Sequence, residues 1–467
     1  MKQTPLGLMT LVMLVVAAMI GFGVFTSSGY ALEALGNPGR VVVAWALCGL
    51  WAIAGALAYG ALARRVPLSG GEYLYLSRLI HPSVGFLAGW ISLVAGFTAP
   101  IAGAAKAVVV YGLPTISSSV TANTLATLVI VIASVCHIAR VQVGLLAQNA
   151  IVLIKCGFVA VLLGWAFGAT PSEAWQGAAL PDRDPAWLPH DMLGWVDLLA
   201  SMSWIAFSYA GFNAAIYVAG ESRAAERNVP TAMLLATVLV TVIYVLLNIL
   251  FVFGPSSASV LETPESKNAI AATATMALGG APMANLTRLI VTLAVLSSVF
   301  GMLLAGPRVY WQMARDGVMP QFLNSQSTLP RAAVFLQAIL SIVVVWLAQL
   351  EQIINYLSMT LSACSALTVA SMWRLSSTRI AHALEEADPG KVQPRATVGP
   401  LAWWEQVSAI IYIVGTIVML AAVVYQGQRR GEVFAVVGTI VVGLIVYGVW
   451  QLGSHRQQAE LKQSDTA

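Results

Sequence analysis

Charge is what this sequence has least of. Only 9% of its 467 residues are Asp, Glu, Lys or Arg, where a soluble protein carries about 25%. So few charges cannot cover a water-soluble particle of this length. Apolar residues reach 58%, which excludes a disordered chain. The net charge of +4 leaves no excess of basic residues for a nucleic-acid partner. Cysteine is equally sparse. Cys48, Cys136, Cys156 and Cys364 lie in or beside apolar stretches, with no CxxC spacing, and read as small buried hydrophobes. His81, His137, His190, His382 and His455 are scattered, without an HExxH motif. No metal, cofactor or catalytic constellation is therefore expected, and an enzyme is disfavoured. A sensor would need an output domain. The longest connections, 169–193, 255–286 and 374–402, are too short for one.

Long apolar runs remain. A helix needs about 20 mainly apolar residues to cross a bilayer. That ruler predicts an all-α polytopic membrane protein with 12 transmembrane helices, at 6–35, 39–63, 83–111, 121–139, 144–168, 194–222, 230–254, 287–313, 331–350, 352–373, 403–426 and 432–453. Gln349, Glu351 and Gln352 mark a tight turn between the ninth and tenth. Pro100 is expected to kink the third. Segment 382–400 reads as a polar linker before the eleventh. The apolar start, Met1–Met19, reads as part of a span, because apolar character resumes after a glycine-rich break.

The basic residues sort by side. With a cytoplasmic N-terminus, sixteen of the 24 Lys and Arg fall inside. Six fall outside: Arg40, Arg183, Lys267, Arg288, Arg429 and Arg430. Lys106 and Lys155 lie within spans. This bias predicts that both termini are cytoplasmic. Arg429 and Arg430 are a local exception.

Two spans are interrupted. The first carries Gly21-Phe22-Gly23-Val24-Phe25-Thr26-Ser27-Ser28-Gly29, the sixth Phe207-Ser208-Tyr209-Ala210-Gly211-Phe212-Asn213. Glycine costs about 1 kcal/mol in a helix interior, and with Ser, Thr and Asn beside it the helix tends to unwind. Unwound backbone survives at membrane depth only where it lines a cavity. The breaks lie about 187 residues apart, and each opens a set of five spans. Five is odd, so the second set is inverted relative to the first. The expected units are 1–168 and 194–374, a 5+5 inverted repeat, followed by two additional helices in 403–453. Matching breaks in two halves point to a transporter binding site. At each break, N–H groups suit an anion and C=O groups a cation. Two breaks thus describe a seat for an α-amino acid without any charged side chain.

The same residues carry a resemblance to the amino acid–polyamine–organocation (APC) family of permeases, and within it to bacterial amino acid permeases. Gly21-Phe22-Gly23-Val24-Phe25 is similar to the signature of the family's first span. Arg65-Val66-Pro67-Leu68-Ser69-Gly70-Gly71-Glu72-Tyr73 resembles the loop after its second. Gly220-Glu221-Ser222 with Arg227-Asn228-Val229-Pro230, and Arg308 with Met313-Ala314-Arg315-Asp316-Gly317-Val318-Met319-Pro320, resemble later segments. The match runs in order over about 5–375. It implies a LeuT-like 5+5 fold, alternating access and sodium-independent amino acid transport across the inner (plasma) membrane, by proton coupling or exchange. The wider family also carries polyamines and other amines. For those the N–H cluster of the first break would be unnecessary.

Carried over by residue, the resemblance places a substrate carboxylate on the amides of Ile20, Gly21, Phe22, Gly23 and Val24. It places the amine on carbonyls of Phe207, Ser208, Tyr209 and Ala210, with the Phe207 ring as a cap. Phe22 departs from the family, which usually has a small residue there. Lys155 would stand where sodium-coupled relatives hold their ion, beside Ile20, Gly21 and Ser297 or Ser298. A buried amine there can exchange a proton, making a proton the co-transported partner, or can stay a fixed positive charge in a sodium-independent exchanger. Lys106 either snorkels outward or contacts an acidic substrate group. Glu72, Arg223, Glu226, Arg227, Arg308, Arg315 and Asp316 are candidate inner-gate salt bridges. Asp197 reads as a helix-N-terminal acid. The outer loop 112–122 lacks cysteine, so no covalent accessory subunit is expected.

Overall fold

The computed structural model describes residues 5–116, 118–138, 145–181, 183–324, 331–376, 400–427 and 429–464. Most of the linker at 382–400 and the basic residues Arg140, Arg379, Lys391 and Arg395 lie outside that set. The described chain is helical, with no strand beyond an isolated bridge between Leu6 and Ser222.

The first span is two half-helices, α1 (Leu8–Met19) and α2 (Gly23–Leu35), bent by 41°. Gly36 ends α2 with φ +61°, a conformation glycine adopts without strain. Asn37 then caps α3 (Pro38–Arg65), its side chain accepting from the amides of Gly39 and Arg40. A short helix α4 (Gly71–Leu79) leads to the third span, α5 (Pro82–Ile91) and α6 (Ala99–Gly112), joined by a π-helical stretch over Ser92–Thr98. Pro100 accounts for the stretch. It lacks the N–H that would close the α-turn before it, so the helix widens there. After α7 (Ser119–Ile138) and α8 (Leu145–Ala169), the sixth span begins as α9 (Met192–Tyr209). It breaks at 210–213 and resumes as a 3₁₀ segment, Ala214–Glu221.

Next come α10 (Ala225–Phe253), the short helices α11 (Ser257–Leu261) and α12 (Pro264–Asn268), and α13 (Ile270–Arg315). Gly280 kinks α13 with φ +66°. The eighth apolar segment thus starts well before the expected residue 287. Then α14 (Arg331–Leu347) and α15 (Leu350–Ala370) meet at a turn where the Gln349 amide donates to its own helix's Gln352. Finally come α16 (Trp403–Gln426) and α17 (Arg430–Ser464).

Among the described residues nine helices are long and apolar enough to span a bilayer, and the bent pair α1–α2 makes ten. Twelve spans are therefore not shown. The sixth span divides into α9 and a 3₁₀ segment, and α14 has only 17 residues. The chain is a polytopic helical membrane protein. Its outer faces carry exposed Val161, Phe335, Leu347 and Ile411, as lipid contact requires.

Packing follows a pattern of five. The second span packs on the seventh (α3 on α10), the third on the eighth (α6 on α13) and the fourth on the ninth (α7 on α14). In the pair that holds the breaks, α2 packs on α9. Helix α8 touches α1, α10 and α13. Helix α15 touches α9, α3 and α6.

Candidate functional site: two helix breaks

The two breaks face each other at the centre. A Cβ added at Gly23 would lie 2.6 Å from Ser208 Oγ and 3.1 Å from its Cα, so glycine is what permits this approach. One turn on, Ser27 Oγ donates to the Trp204 carbonyl at 3.0 Å and lies 3.3 Å from Ser208 Oγ. Phe22 and Phe207 meet with ring centroids 5.0 Å apart. The Phe22 ring is buried and turned toward the third span, where Gly103 leaves it room; a Cβ on Gly103 would lie 2.5 Å from the ring.

The backbone groups divide as helix ends dictate. The Gly21 amide is already donated to the Met19 carbonyl at 2.8 Å, and the Ile20 amide to Val16 at 3.0 Å. That leaves Phe22, Gly23 and Val24, the first amides of α2, which have no carbonyl one turn behind them in the helix. Ile20 and Gly21 are thus at the break without amides to spare. At the second break Ala210 donates to Ala206 and Phe207, and Phe212 to Tyr209. A carbonyl has two lone pairs, so Phe207 and Tyr209 each retain acceptor capacity. Gly211, with φ +101°, brings this backbone against Ala18, where a Cβ would meet the Ala18 carbonyl at 3.0 Å. The Tyr209 side chain turns away, donating to the Trp45 carbonyl at 3.0 Å.

Reading along the sequence missed Tyr244. Its hydroxyl, on α10, donates to Met19 O at 2.6 Å and lies 3.1 Å from Ser208 O. It links the carbonyl ends of both broken spans. Behind it Trp45, Tyr209 and Tyr244 cluster with centroids 5.2–5.8 Å apart. Trp45 donates to Ser28, and Ser28 to Asn248. The available signal was Tyr244 and Asn248, one turn apart in the otherwise apolar stretch 242–253.

Lys155 on α8 is buried, and its Nζ donates to Ser298 Oγ at 3.3 Å. It shares a small, otherwise apolar crevice with Ile20, Phe25, Phe158, Val291 and Ala294. Ser297 donates to its own helix, at Ala294. Lys106 reaches neither break; its Nζ donates to Asn123 on α7 at 2.8 Å. Glu72 has no ion pair among the described residues and takes four neutral donors instead. Ion pairs on the same side of the molecule join Arg64 and Arg65 to Glu405 of α16. Asp197 accepts from Gln426. The side chain of Arg308 lies outside the described residues.

The arrangement offers neighbouring helix-end donors and acceptors inside an apolar bundle. A profile of the family described as "Amino acid permease" matches residues 6–446. The chain belongs to the amino acid permease family. Among curated relatives of this permease is the human Large neutral amino acids transporter small subunit 2, 27% identical over 372 residues. That match covers 76% of this chain and 66%, just under two thirds, of the relative's length. The mouse b(0,+)-type amino acid transporter 1 is 25% identical over 369 residues, covering 76% of this chain and 72% of that one. The mouse Asc-type amino acid transporter 1 is 25% identical over 395 residues, covering 80% and 71%. All three are transporters by name.

Proposed function

We propose that this permease carries neutral amino acids across a membrane by alternating access, with the α-carboxylate on the amides of Phe22, Gly23 and Val24 and the α-amine on the second break's carbonyls. The observation that carries this reading is the close approach of the breaks at Gly23 and Ser208. A single carbon bearing both charges needs donors and acceptors brought this near each other. The flanking Phe22, Val24 and Phe207 suit an apolar side chain, and the relatives' names direct the first substrates to large neutral amino acids. The exchange of partners between spans five apart supports two structurally equivalent halves, 1–168 and 194–374. The charge bias supports cytoplasmic termini in an inner (plasma) membrane.

Purified protein in liposomes should take up or exchange a labelled neutral amino acid. Failure across the twenty standard amino acids overturns the reading.

Coupling is assigned to Lys155, with no sodium requirement. A buried ammonium holding one neutral hydroxyl is an expensive arrangement, and it sits where the first break meets α13. Lys155→Ala should remove any response of transport to a pH gradient, or abolish transport. Near-normal uptake with an unchanged pH response removes Lys155 from the mechanism.

A further inference from the structure

The two halves of the sixth span are each gripped by one buried charge that does not belong to either break. On the side assigned to the cytoplasm this is Glu72, 4% exposed, in the first turn of α4. Its Oε1 accepts from Tyr59 Oη, from Ser365 Oγ at 2.6 Å and from Asn213 Nδ2 at 3.2 Å. Its Oε2 accepts from Cys364 Sγ at 3.3 Å. Asn213 is the last residue of the second break, so one carboxylate ties the 3₁₀ half to α3 and α15. Neighbouring backbone adds to the grip. The Gly220 amide donates to Ser69 Oγ at 2.9 Å. Gly71, with φ +62°, lies so close to Tyr217 that a Cβ would approach its ring to 2.2 Å.

On the opposite side the grip is Arg429, 7% exposed, in the turn between α16 and α17. Its Nη1 donates to the Ala200 carbonyl at 3.0 Å and to Ser203 Oγ at 2.5 Å. The guanidinium lies 3.6 Å from the centroid of the Trp204 ring. Gln426 holds Asp197 one turn away, at 2.7 Å. Positions 197, 200, 203 and 204 form one stripe along α9. This explains why Arg429 breaks the charge bias: it is a packing residue on a helix face rather than a loop charge.

Among the described residues neither charge has an opposite charge within ion-pair distance. A buried charge on neutral partners has surrendered its hydration without a counter-ion to compensate. In place its hydrogen bonds go to neutral groups of the sixth span and its neighbours; withdrawn, it regains water. Such a contact has two good states and poor intermediates, which suits a latch.

We propose that Glu72 and Arg429 are positioning residues that latch the inner and the outer half of the sixth span, each controlling access from its own side only. The proposal takes its meaning from alternating access. Its test needs no substrate, so its failure and a failure of uptake are separate results.

The test is labelling by a membrane-impermeant maleimide, read peptide by peptide on the full chain in detergent. Cys48, whose thiol lies 3.5 Å from Met202 O on α9, reports the outer side. Ala219→Cys, at a buried position of the 3₁₀ half, reports the inner side. Cys136 and Cys156 are replaced by serine, while Cys364, a partner of Glu72, is kept and read on its own peptide. Glu72→Gln should raise labelling at residue 219 about tenfold with less than about twofold change at Cys48, and Arg429→Gln should do the reverse. A rise at both reporters together marks general loosening and overturns the proposal, as does no change at the latch's own reporter. If a Gln variant does not fold, Ser365→Ala and Ser203→Ala each keep the charge and remove one partner. They must show the same one-sided pattern at smaller size, and its absence also overturns the proposal.

Discussion

The first break is short and holds donors in reserve; the second is longer and has its acceptors partly engaged. Between α1 and α2 three residues make a 41° bend, and the amides of Phe22, Gly23 and Val24 begin a new helix. In the sixth span the chain leaves α9, turns at Gly211 with φ +101° and continues as a 3₁₀ segment. There the carbonyls of Ala206, Phe207, Ser208 and Tyr209 already accept from Ala210, Phe212 or Tyr244. The difference follows from helix ends. A new helix start has amides with no carbonyl behind them, whereas a carbonyl keeps a second lone pair after accepting once. In the site proposed above, the anion would meet amides left free and the cation would share acceptors already engaged. Tyr244 belongs to both, because one hydroxyl meets the carbonyl ends of the two breaks.

The two breaks are most sensitive where they come closest. Gly23→Ala puts a methyl where Ser208 stands, and overpacking costs about 1–3 kcal/mol. Liposome uptake should fall at least about tenfold while the protein still elutes as a folded species. Uptake near that of the parent protein would show that the breaks need not approach so closely.

Tyr244→Phe is next. It removes the hydroxyl that donates to Met19 O and lies beside Ser208 O, at about 0.5–1.5 kcal/mol for the one hydrogen bond its proton makes. Substrate affinity and melting temperature should both fall, and unchanged values for both would show that the breaks are positioned without it.

Phe207→Ala sharpens the second break alone. It should weaken substrate capture more than Phe434→Ala on the exposed face of α17. Equal effects on KM would remove the ring from the site.

The smallest effect lies at the edge of the first break's support, where the 183–187 loop braces the start of α3. Arg40 donates to Asp184 at 2.6 Å, and Asn37 to the carbonyls of Asp184 and Ala186. The Ala186 amide and then Arg40 hold the Asp184 carboxyl below its usual range. A carboxyl lowered on folding stabilises above its unfolded value and loses that contribution as pH falls through its folded value. The difference in melting temperature between the parent and Asp184→Asn should therefore be small near pH 7 and shrink on acidification to about pH 3. A difference that grows in acid would contradict the assignment.

Much of the architecture was legible along the chain. Apolar runs marked the helices, and Gly21-Phe22-Gly23 and Gly211 marked the breaks. Pro100 was expected to kink the third span, and the structure places a π-helical stretch just before it. Less legible was what each side chain meets. Phe22 stood out as bulky where the family is small, but its fit against Gly103, some 80 residues on, has no local signature. Glu72 read as a candidate for an inner-gate ion pair and Arg429 as an outer charge against the bias; both are buried against the sixth span, on neutral partners. Lys106, read as snorkelling outward or meeting the substrate, ends on Asn123; Lys155, read as standing beside Ile20 and Ser297 or Ser298, lies in the crevice beside Ile20 with its amine on Ser298.

By itself the sequence determined that this is a membrane-embedded helical protein, and where its helices are interrupted. Both are properties of neighbours along the chain: apolar length against bilayer thickness, and glycine against helix propensity. Only the tertiary structure decided which groups meet. Gly23 and Ser208, Tyr244 and Met19, Lys155 and Ser298 are each separated by more than a hundred residues. Tertiary packing brings them into contact, and such contacts leave no periodic trace for a one-dimensional reading.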